Sequence, residues 1–279
     1  MKKFVFCALL LLSFSPICLE SQAQVQTVVR PRYSSLWRNI NRQEIREGIQ
    51  RYKNNGVRLH ELMMRALLQE KFLEYLTEIS AACKADPKKA NLFASYGQAL
   101  ALSRSGSLTQ RQPIPKELSD RFNFNQQFIW DTIQHARDLD RSCWLADMAE
   151  ASLSFGGLMG HPTEGARLTG RAYSIQQNAV TMTQYGIELT GQSFVMQDPE
   201  MKKQALSILL KAQRLYPTYW KLPWALAYVY GGKGPTLNPA KEKTAAQRFI
   251  ALIPPESRNL PWVRRYLNYL GMDKVADLS

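Results

Sequence analysis

The sequence predicts an all-α protein, because apolar residues recur at helical spacing and prolines and glycines stand where those helices would end. The clearest stretch runs from Met201 to Gly232. Its first half carries an apolar helical stripe of Ala205, Leu209 and Ala212. Pro217 then prevents this helix from continuing. A second stripe comprises Trp224, Ala225 and Tyr228. We therefore expect two helices joined by a short turn.

The same pattern recurs elsewhere in the chain. The large, small and proline positions of this stretch are repeated at Ile79, Ala82 and Pro87. Two predicted helices also share a tyrosine-glycine pair at equivalent places, Tyr96-Gly97 and Tyr185-Gly186. We expect each glycine to let a partner helix approach closely, because a side chain there would hold that helix away.

This combination resembles the tetratricopeptide repeat (TPR), a helical hairpin in which small, bulky and proline residues occupy fixed positions. The resemblance covers roughly residues 57–271. It implies a right-handed superhelix of about five stacked hairpins, and a non-enzymatic scaffold that holds a protein, peptide or envelope ligand in its concave groove. Ala82, Ala136 and Ala212 are 54 and 76 residues apart. If 76 is two units, the repeat is near 38 residues, longer than the usual 34 or so.

The N-terminal residues indicate export. Lys2 and Lys3 precede an apolar run from Phe4 to Leu12, and small residues follow around Ala23. Residues 1–23 are therefore interpreted as a signal peptide, which predicts a periplasmic or extracellular protein. Lipidation at Cys18 is disfavoured by Ile17, since the lipid-transfer motif requires a small residue there. No stretch reaches the roughly 20 apolar residues of a transmembrane helix.

The remaining segments are assigned from the helical periodicity of apolar residues and from the prolines, glycines and asparagines that interrupt it. They are a linker at 24–35, a leading helix at 36–56, the repeat domain at 57–271 and a tail at 272–279. Within the repeat domain we expect helices at 57–68, 72–84 and 144–155, helices that begin at Pro162 and Pro239, and a last helix at 260–270. A polar insertion at 105–125 lengthens one repeat.

The chain carries a formal net charge of +13. In an exported protein this charge favours an acidic protein partner, anionic envelope material or a membrane surface over nucleic acid. The alternative is that scattered lysines and arginines simply solvate helix faces. Only Cys83 and Cys143 lie beyond the predicted signal peptide, and we expect both to be buried and unbridged.

The sequence predicts neither a metal nor a cofactor. His60-Glu61 begins like a zinc-protease motif, but Met64 stands where the second histidine ligand belongs. His135 and His161 have no ligand at metal-binding spacing. The loop at 231–236 lacks the spacing of a phosphate-binding loop. Asp147 and Glu150 share a helix face, a spacing that is also common on solvated helices.

Aromatic and basic residues crowd the C-terminal region, and rigid aromatic rings are frequent in binding sites. Trp224 and Tyr228 are expected to be interior. The predicted ligand-binding residues, whose aromatic members are expected to be exposed, are Tyr219, Trp220, Tyr230, Lys221 and Lys233. Two alternatives to a binding scaffold remain open: an envelope enzyme that uses paired carboxylates, and a structural subunit of an envelope assembly.

Overall fold

The computed structural model describes residues 39–104, 116–156, 162–231, 234–254, 257–258, 263–264 and 267–268. Over these residues the secondary structure is helical and contains no strand, which confirms the predicted all-α class. The helices are α1 (Arg42–Tyr52), α2 (Gly56–Leu68), α3 (Phe72–Ala85), α4 (Ala90–Arg104), α5 (Lys116–Ser119), α6 (Gln126–Leu139), α7 (Trp144–Gly156), α8 (Pro162–Ile175), α9 (Ala179–Met196), α10 (Pro199–Leu215), α11 (Lys221–Tyr230) and α12 (Pro239–Leu252).

The N-terminal and C-terminal predictions fall largely outside this description. The predicted signal peptide (1–23), linker (24–35) and tail (272–279) lie beyond the described residues, as does most of the predicted last helix. Within the described part of the chain, no helix is both long enough and apolar enough to cross a membrane.

Side-chain caps mark the start of six of the twelve described helices. The Asn41 side chain accepts a hydrogen bond from the Glu44 backbone N–H, and the Glu44 carboxylate accepts one from the Asn41 backbone N–H, which forms a capping box. Within the predicted leading segment at 36–56, α1 therefore begins later than the expected Leu36, and it ends at Tyr52, before the Asn54-Asn55-Gly56 sequence that was expected to stop it. Asn55 caps α2, which begins at Gly56, one residue before the predicted start of this helix.

The helices pack as consecutive pairs. The first helices of the pairs are α2, α4, α7, α9 and α11, and their respective second helices are α3, α6, α8, α10 and α12. Each first helix contacts its second helix, and each of the first four second helices contacts the first helix of the next pair. Most contacts therefore join helices of the same pair or of successive pairs. In addition, Ser257 donates a hydrogen bond to the Leu68 carbonyl at 2.6 Å, which ties the C-terminal region to α2.

Four second helices end in the same way. In each, an alanine carbonyl accepts the final backbone N–H: Ala82 from Asp86, Ala136 from Asp140, Ala172 from Gln176 and Ala212 from Tyr216. All four alanines are buried. Ala172 lies between Ala136 and Ala212, at intervals of 36 and 40 residues. The interval of 76 residues therefore spans two helix pairs.

The two tyrosine-glycine pairs occupy equivalent sites. A Cβ atom added to Gly97 of α4 would come within 2.7 Å of Ile133 in α6, and one added to Gly186 of α9 within 2.6 Å of Leu209 in α10. Each glycine thus faces the second helix of its own pair. The prediction that these glycines permit close helix approach is confirmed.

Buried thiols and ion pairs complete the packing. Cys83 and Cys143 are free and buried, as predicted. Burial raises the pKa of the Cys83 thiol to about 12 and that of Cys143 to about 11. The buried Glu78 carboxylate of α3 accepts hydrogen bonds from Arg42 and Arg46 of α1, which fixes α1 against α3.

Candidate functional site

A cavity of about 280 Å³ lies among the first helices of all five pairs. Each of these helices contributes residues three or four positions apart, so that they lie on one helix face. The apolar part of the lining comprises Met64, Leu67, Leu102, Met148, Ala151, Ile187, Trp220 and Trp224. The polar part comprises His60, Gln98, Ser152, Gln184, Glu188 and Lys221. An apolar cavity with a few polar groups is the usual composition of a small-molecule site.

One polar chain links α2, α4 and α7. Ser152 donates to the Met148 carbonyl at 2.9 Å and accepts a hydrogen bond from Gln98 Nε2 at 3.4 Å. The other end of the Gln98 amide, Oε1, lies 3.0 Å from His60 Nδ1. Since this oxygen can only accept, neutral His60 carries its proton on Nδ1. Its Nε2 is a lone-pair acceptor that has no hydrogen-bond partner among the described residues.

A second polar chain links α9 and α11. Lys221 Nζ donates to Gln184 Oε1 at 2.7 Å, and Gln184 Nε2 donates to Glu188 Oε1 at 2.7 Å. Gln184 and Glu188 are one helical turn apart, so their side chains meet on the same face of α9. The Gln184 amide thus lies between a cation and a carboxylate, with its oxygen towards the cation and its nitrogen towards the carboxylate.

Burial shifts the pKa values of all three titratable groups in the lining. Loss of hydration lowers the pKa of His60 to about 4, although its hydrogen bond with Gln98 opposes the change. Burial also lowers the pKa of Lys221 to about 8, against the attraction of the Glu188 charge. Burial raises the pKa of Glu188, while Gln184 and Lys221 oppose that rise. At neutral pH, His60 is therefore uncharged and Lys221 is mainly a cation.

The structure places two of the five predicted ligand-binding residues in this lining. Trp220 and Lys221 line the cavity, whereas Tyr219 and Tyr230 do not. Lys233 lies outside the described residues. The role of these residues in ligand binding stays a prediction.

The predicted exposure of the aromatic residues is wrong. Tyr219, Trp220 and Tyr230 are only 7–8% exposed. Trp224 and Tyr228, predicted to be interior, are half-buried, and Trp224 lines the cavity. Their rings stack with centroids 5.9 Å apart. The reason is that α11 is apolar on all sides and packs against α9, α10 and α12, so that periodicity alone gives it no inward face.

Sequence reasoning missed five polar residues of the lining: His60, Gln98, Ser152, Gln184 and Glu188. The tyrosine-glycine pairs could have indicated part of the lining. Gln98 and Ile187 each follow the glycine of a tyrosine-glycine pair, and both line the cavity. Among the described residues, no group of three potential ligands could hold a metal ion. His135 packs edge-on against Phe93, with ring centroids 4.5 Å apart, and His161 lies outside the described residues.

The predicted acid pair on α7 is held by arginines. Asp147 and Glu150 are both buried, and Arg137 forms ion pairs with both of them. Arg171 Nε also donates to Asp147 Oδ2 at 2.7 Å. Neither acid lines the cavity. These contacts connect α6, α7 and α8, which makes the two acids structural partners of the arginines.

The site therefore presents an uncharged imidazole, an amine, a carboxylate and two amides within an apolar wall. Such groups orient a bound molecule through hydrogen bonds, while the rings and aliphatic side chains cover its apolar surface. No protein-family model matches the sequence, and a search of curated proteins finds no relative of it.

Proposed function

We propose that this protein is a TPR-like helical-repeat scaffold, without enzymatic activity, that binds a small ligand or a short peptide segment in the cavity between its first helices. This proposal rests mainly on the finding that all five first helices contribute residues to the lining of one cavity. In stacked helical repeats, equivalent helices of successive units create a concave binding surface. On this proposal, the cavity is the deepest part of the groove of a right-handed superhelix.

The recurring helix ends support the repeat assignment. Four second helices share the alanine-to-cap hydrogen bond, and two first helices share a glycine that faces the second helix. Equivalent backbone and side-chain contacts at regular intervals are what a repeated unit produces. The 36- and 40-residue intervals make this unit slightly longer than the usual repeat of about 34 residues.

The composition of the lining favours binding over a carboxylate-based enzyme. Two carboxylates would have to converge on one substrate in such an enzyme. Among the described lining residues, Glu188 is the one carboxylate, and the acids of α7 are engaged by arginines. Two tryptophans and two glutamines are suited to contact a ligand without breaking its bonds.

The size of the cavity bounds the ligand. A volume of about 280 Å³ lies just below the roughly 300–1,000 Å³ of small-molecule pockets. A metabolite, or one or two side chains of a peptide, would fill it. The net charge of +13 would speed the encounter with an acidic peptide or with anionic envelope material. The N-terminal segment supports a proposed location in the periplasm or outside the cell.

Filling the cavity tests this proposal. Ala151 lines the cavity and is nearly fully buried, whereas Ala81 on α3 is exposed. We would screen amino acids, short peptides and small apolar acids and amines by ligand-detected NMR against the wild-type protein, Ala151→Phe and Ala81→Phe. Ligands of the cavity should bind the wild type and Ala81→Phe and should lose binding to Ala151→Phe.

Circular dichroism and thermal unfolding establish whether Ala151→Phe remains folded. Leu102→Trp adds bulk from α4 and serves as a second blocking variant. If every detected ligand binds a folded blocked variant as it binds the wild type, the cavity is not the binding site. If no compound binds the wild type at millimolar concentration, the small-ligand proposal is rejected.

A further inference from the structure

Two opposite charges in the cavity lining are separated by an amide. Lys221 and Glu188 both contact the Gln184 side chain, one at each end. Among the described ion pairs there is no direct contact between them. This arrangement differs from an ordinary buried ion pair, in which the two charges touch and neutralise each other.

Both charges lose hydration without gaining a direct counter-ion. Glu188 is 5% exposed, and Lys221 is partly buried. The Gln184 amide offers each of them one hydrogen bond, which compensates only part of the cost of removing a charge from water. The directions of their pKa shifts agree, because burial disfavours the charged form of both groups. A ligand that supplied the two missing countercharges would reduce this cost.

The rest of the lining adds two requirements. Trp220, Trp224 and Met64 form apolar surface that would cover an apolar group. His60 Nε2 is buried, is an acceptor and lacks a partner among the described residues, so it suits a ligand that brings an N–H donor. An ammonium group brings three such donors and a positive charge.

We propose that the cavity binds a small zwitterion with an apolar body, as presented by a free apolar amino acid or a short apolar dipeptide. This inference rests on the proposed function and names its ligand class. The ligand carboxylate would accept hydrogen bonds from Lys221, whose amine has donors beyond the one used by Gln184. The ligand ammonium would donate to Glu188 and His60. The apolar side chain would lie against Trp220 and Trp224.

Ligands that lack either the carboxylate or the amine test the contribution of each ligand charge separately. Isothermal titration at pH 7 would compare phenylalanine with 2-phenylethylamine, which lacks the carboxylate, and 3-phenylpropionate, which lacks the amine. Phenylalanine should bind at least about tenfold more tightly than either, because each of the other two compounds lacks one charge-assisted contact. The dipeptide alanylphenylalanine distinguishes the two sources of the zwitterion, according to which of the two molecules binds more tightly.

Matched variants assign each charge to a residue. Lys221→Met should reduce the affinity for phenylalanine and 3-phenylpropionate by about tenfold or more and leave 2-phenylethylamine nearly unchanged. Glu188→Gln should show the reverse pattern. It should bind phenylalanine and 2-phenylethylamine more weakly than the wild type does, and 3-phenylpropionate about equally well. Because each variant keeps one ligand, misfolding would not produce this result. Lys203→Met, on the exposed surface of α10, is the control for a change of net charge.

Two outcomes overturn the inference. If 3-phenylpropionate or 2-phenylethylamine binds the wild type as tightly as the zwitterions do, the two charges do not act together. If neither zwitterion binds while another compound occupies the cavity and is blocked by Ala151→Phe, the ligand class is wrong and the proposed function stands. Zwitterion binding that survives in folded Ala151→Phe would reject both proposals.

Discussion

Gly186 of α9 lies directly beneath Leu209 of α10, so close that a Cβ atom at the glycine would come within 2.6 Å of the leucine Cδ2. Gly97 has the same relationship to Ile133 in an earlier helix pair. Glycine normally weakens a helix interior by about 1 kcal/mol relative to alanine. Its presence at both sites indicates that close packing between the two helices of a pair outweighs that cost.

We expect Gly186→Ala to destabilise the fold by about 1–3 kcal/mol, because the added methyl group overpacks the contact with Leu209. Gly191 lies in the same helix, but a Cβ there would meet only the Tyr228 hydroxyl, at 3.7 Å. Gly191→Ala should therefore be neutral or stabilise by up to about 1 kcal/mol through helix propensity. Urea unfolding of the two variants measures the difference. Equal stability of the two variants would contradict this account of close packing.

Asp147→Asn should destabilise the protein by about 1–3 kcal/mol, because Arg171 loses its buried carboxylate partner and Arg137 keeps only Glu150. Asp147 is 2% exposed and is contacted by both Arg137 and Arg171. The matched control is Glu200→Gln, which removes an exposed pair with Lys203 and should cost less than about 1 kcal/mol. Chemical denaturation checks both values. An equally small effect for Asp147→Asn would show that the arginines are satisfied without it.

His60 should make the fold less stable as the pH falls from 6.5 to 4. In this range the unfolded chain takes up a proton at His60, while burial keeps the folded form neutral down to a pKa of about 4. The unfolded state therefore gains protons first, and unfolding becomes more favourable. His60→Met removes this contribution. As the pH falls across this range, the unfolding free energy of the wild type should decrease relative to that of the variant, by at most a few kcal/mol.

Carboxylate titrations in the same pH range are shared by both proteins and cancel in that difference. Denaturant unfolding at half-unit pH intervals provides the measurement. A difference that is independent of pH would mean that His60 is hydrated and titrates normally in the folded protein.

Lys221 should have a separate effect at alkaline pH. Burial lowers its folded pKa to about 8, whereas an unfolded lysine titrates near 10.4. Between these values the unfolded chain binds more protons at this residue, so its contribution to stability rises with pH. Relative to Lys221→Met, the wild-type protein should gain stability from pH 8 to pH 10.4. Tyrosine titrations are common to both proteins, and Lys203→Met should show no such dependence.

Much of the helix pattern was predictable because its causes are local. Pro162 and Pro239 begin α8 and α12 as expected, since proline fits the first turn of a helix and not its interior. The spacing of Ile79 and Ala82 identified the end of α3 for the same reason, because those residues are neighbours within one helix. The prediction failed at the start of the first helix: it was expected to begin at Leu36, but residues 39–41 are not helical and Asn41 caps α1, which begins at Arg42.

Local sequence patterns were enough to predict the helical fold of the described residues, many of the helix boundaries, and which glycines and alanines lie between paired helices. Each of these features depends on residues within a few turns of one another. The packing of the helices against one another was needed to show which side of α11 faces the cavity and that His60, Gln98, Glu188 and Lys221 line one site. These residues lie on separate helices, and an all-apolar helix such as α11 is oriented by the helices that surround it, so no pattern within the helix specifies the outcome.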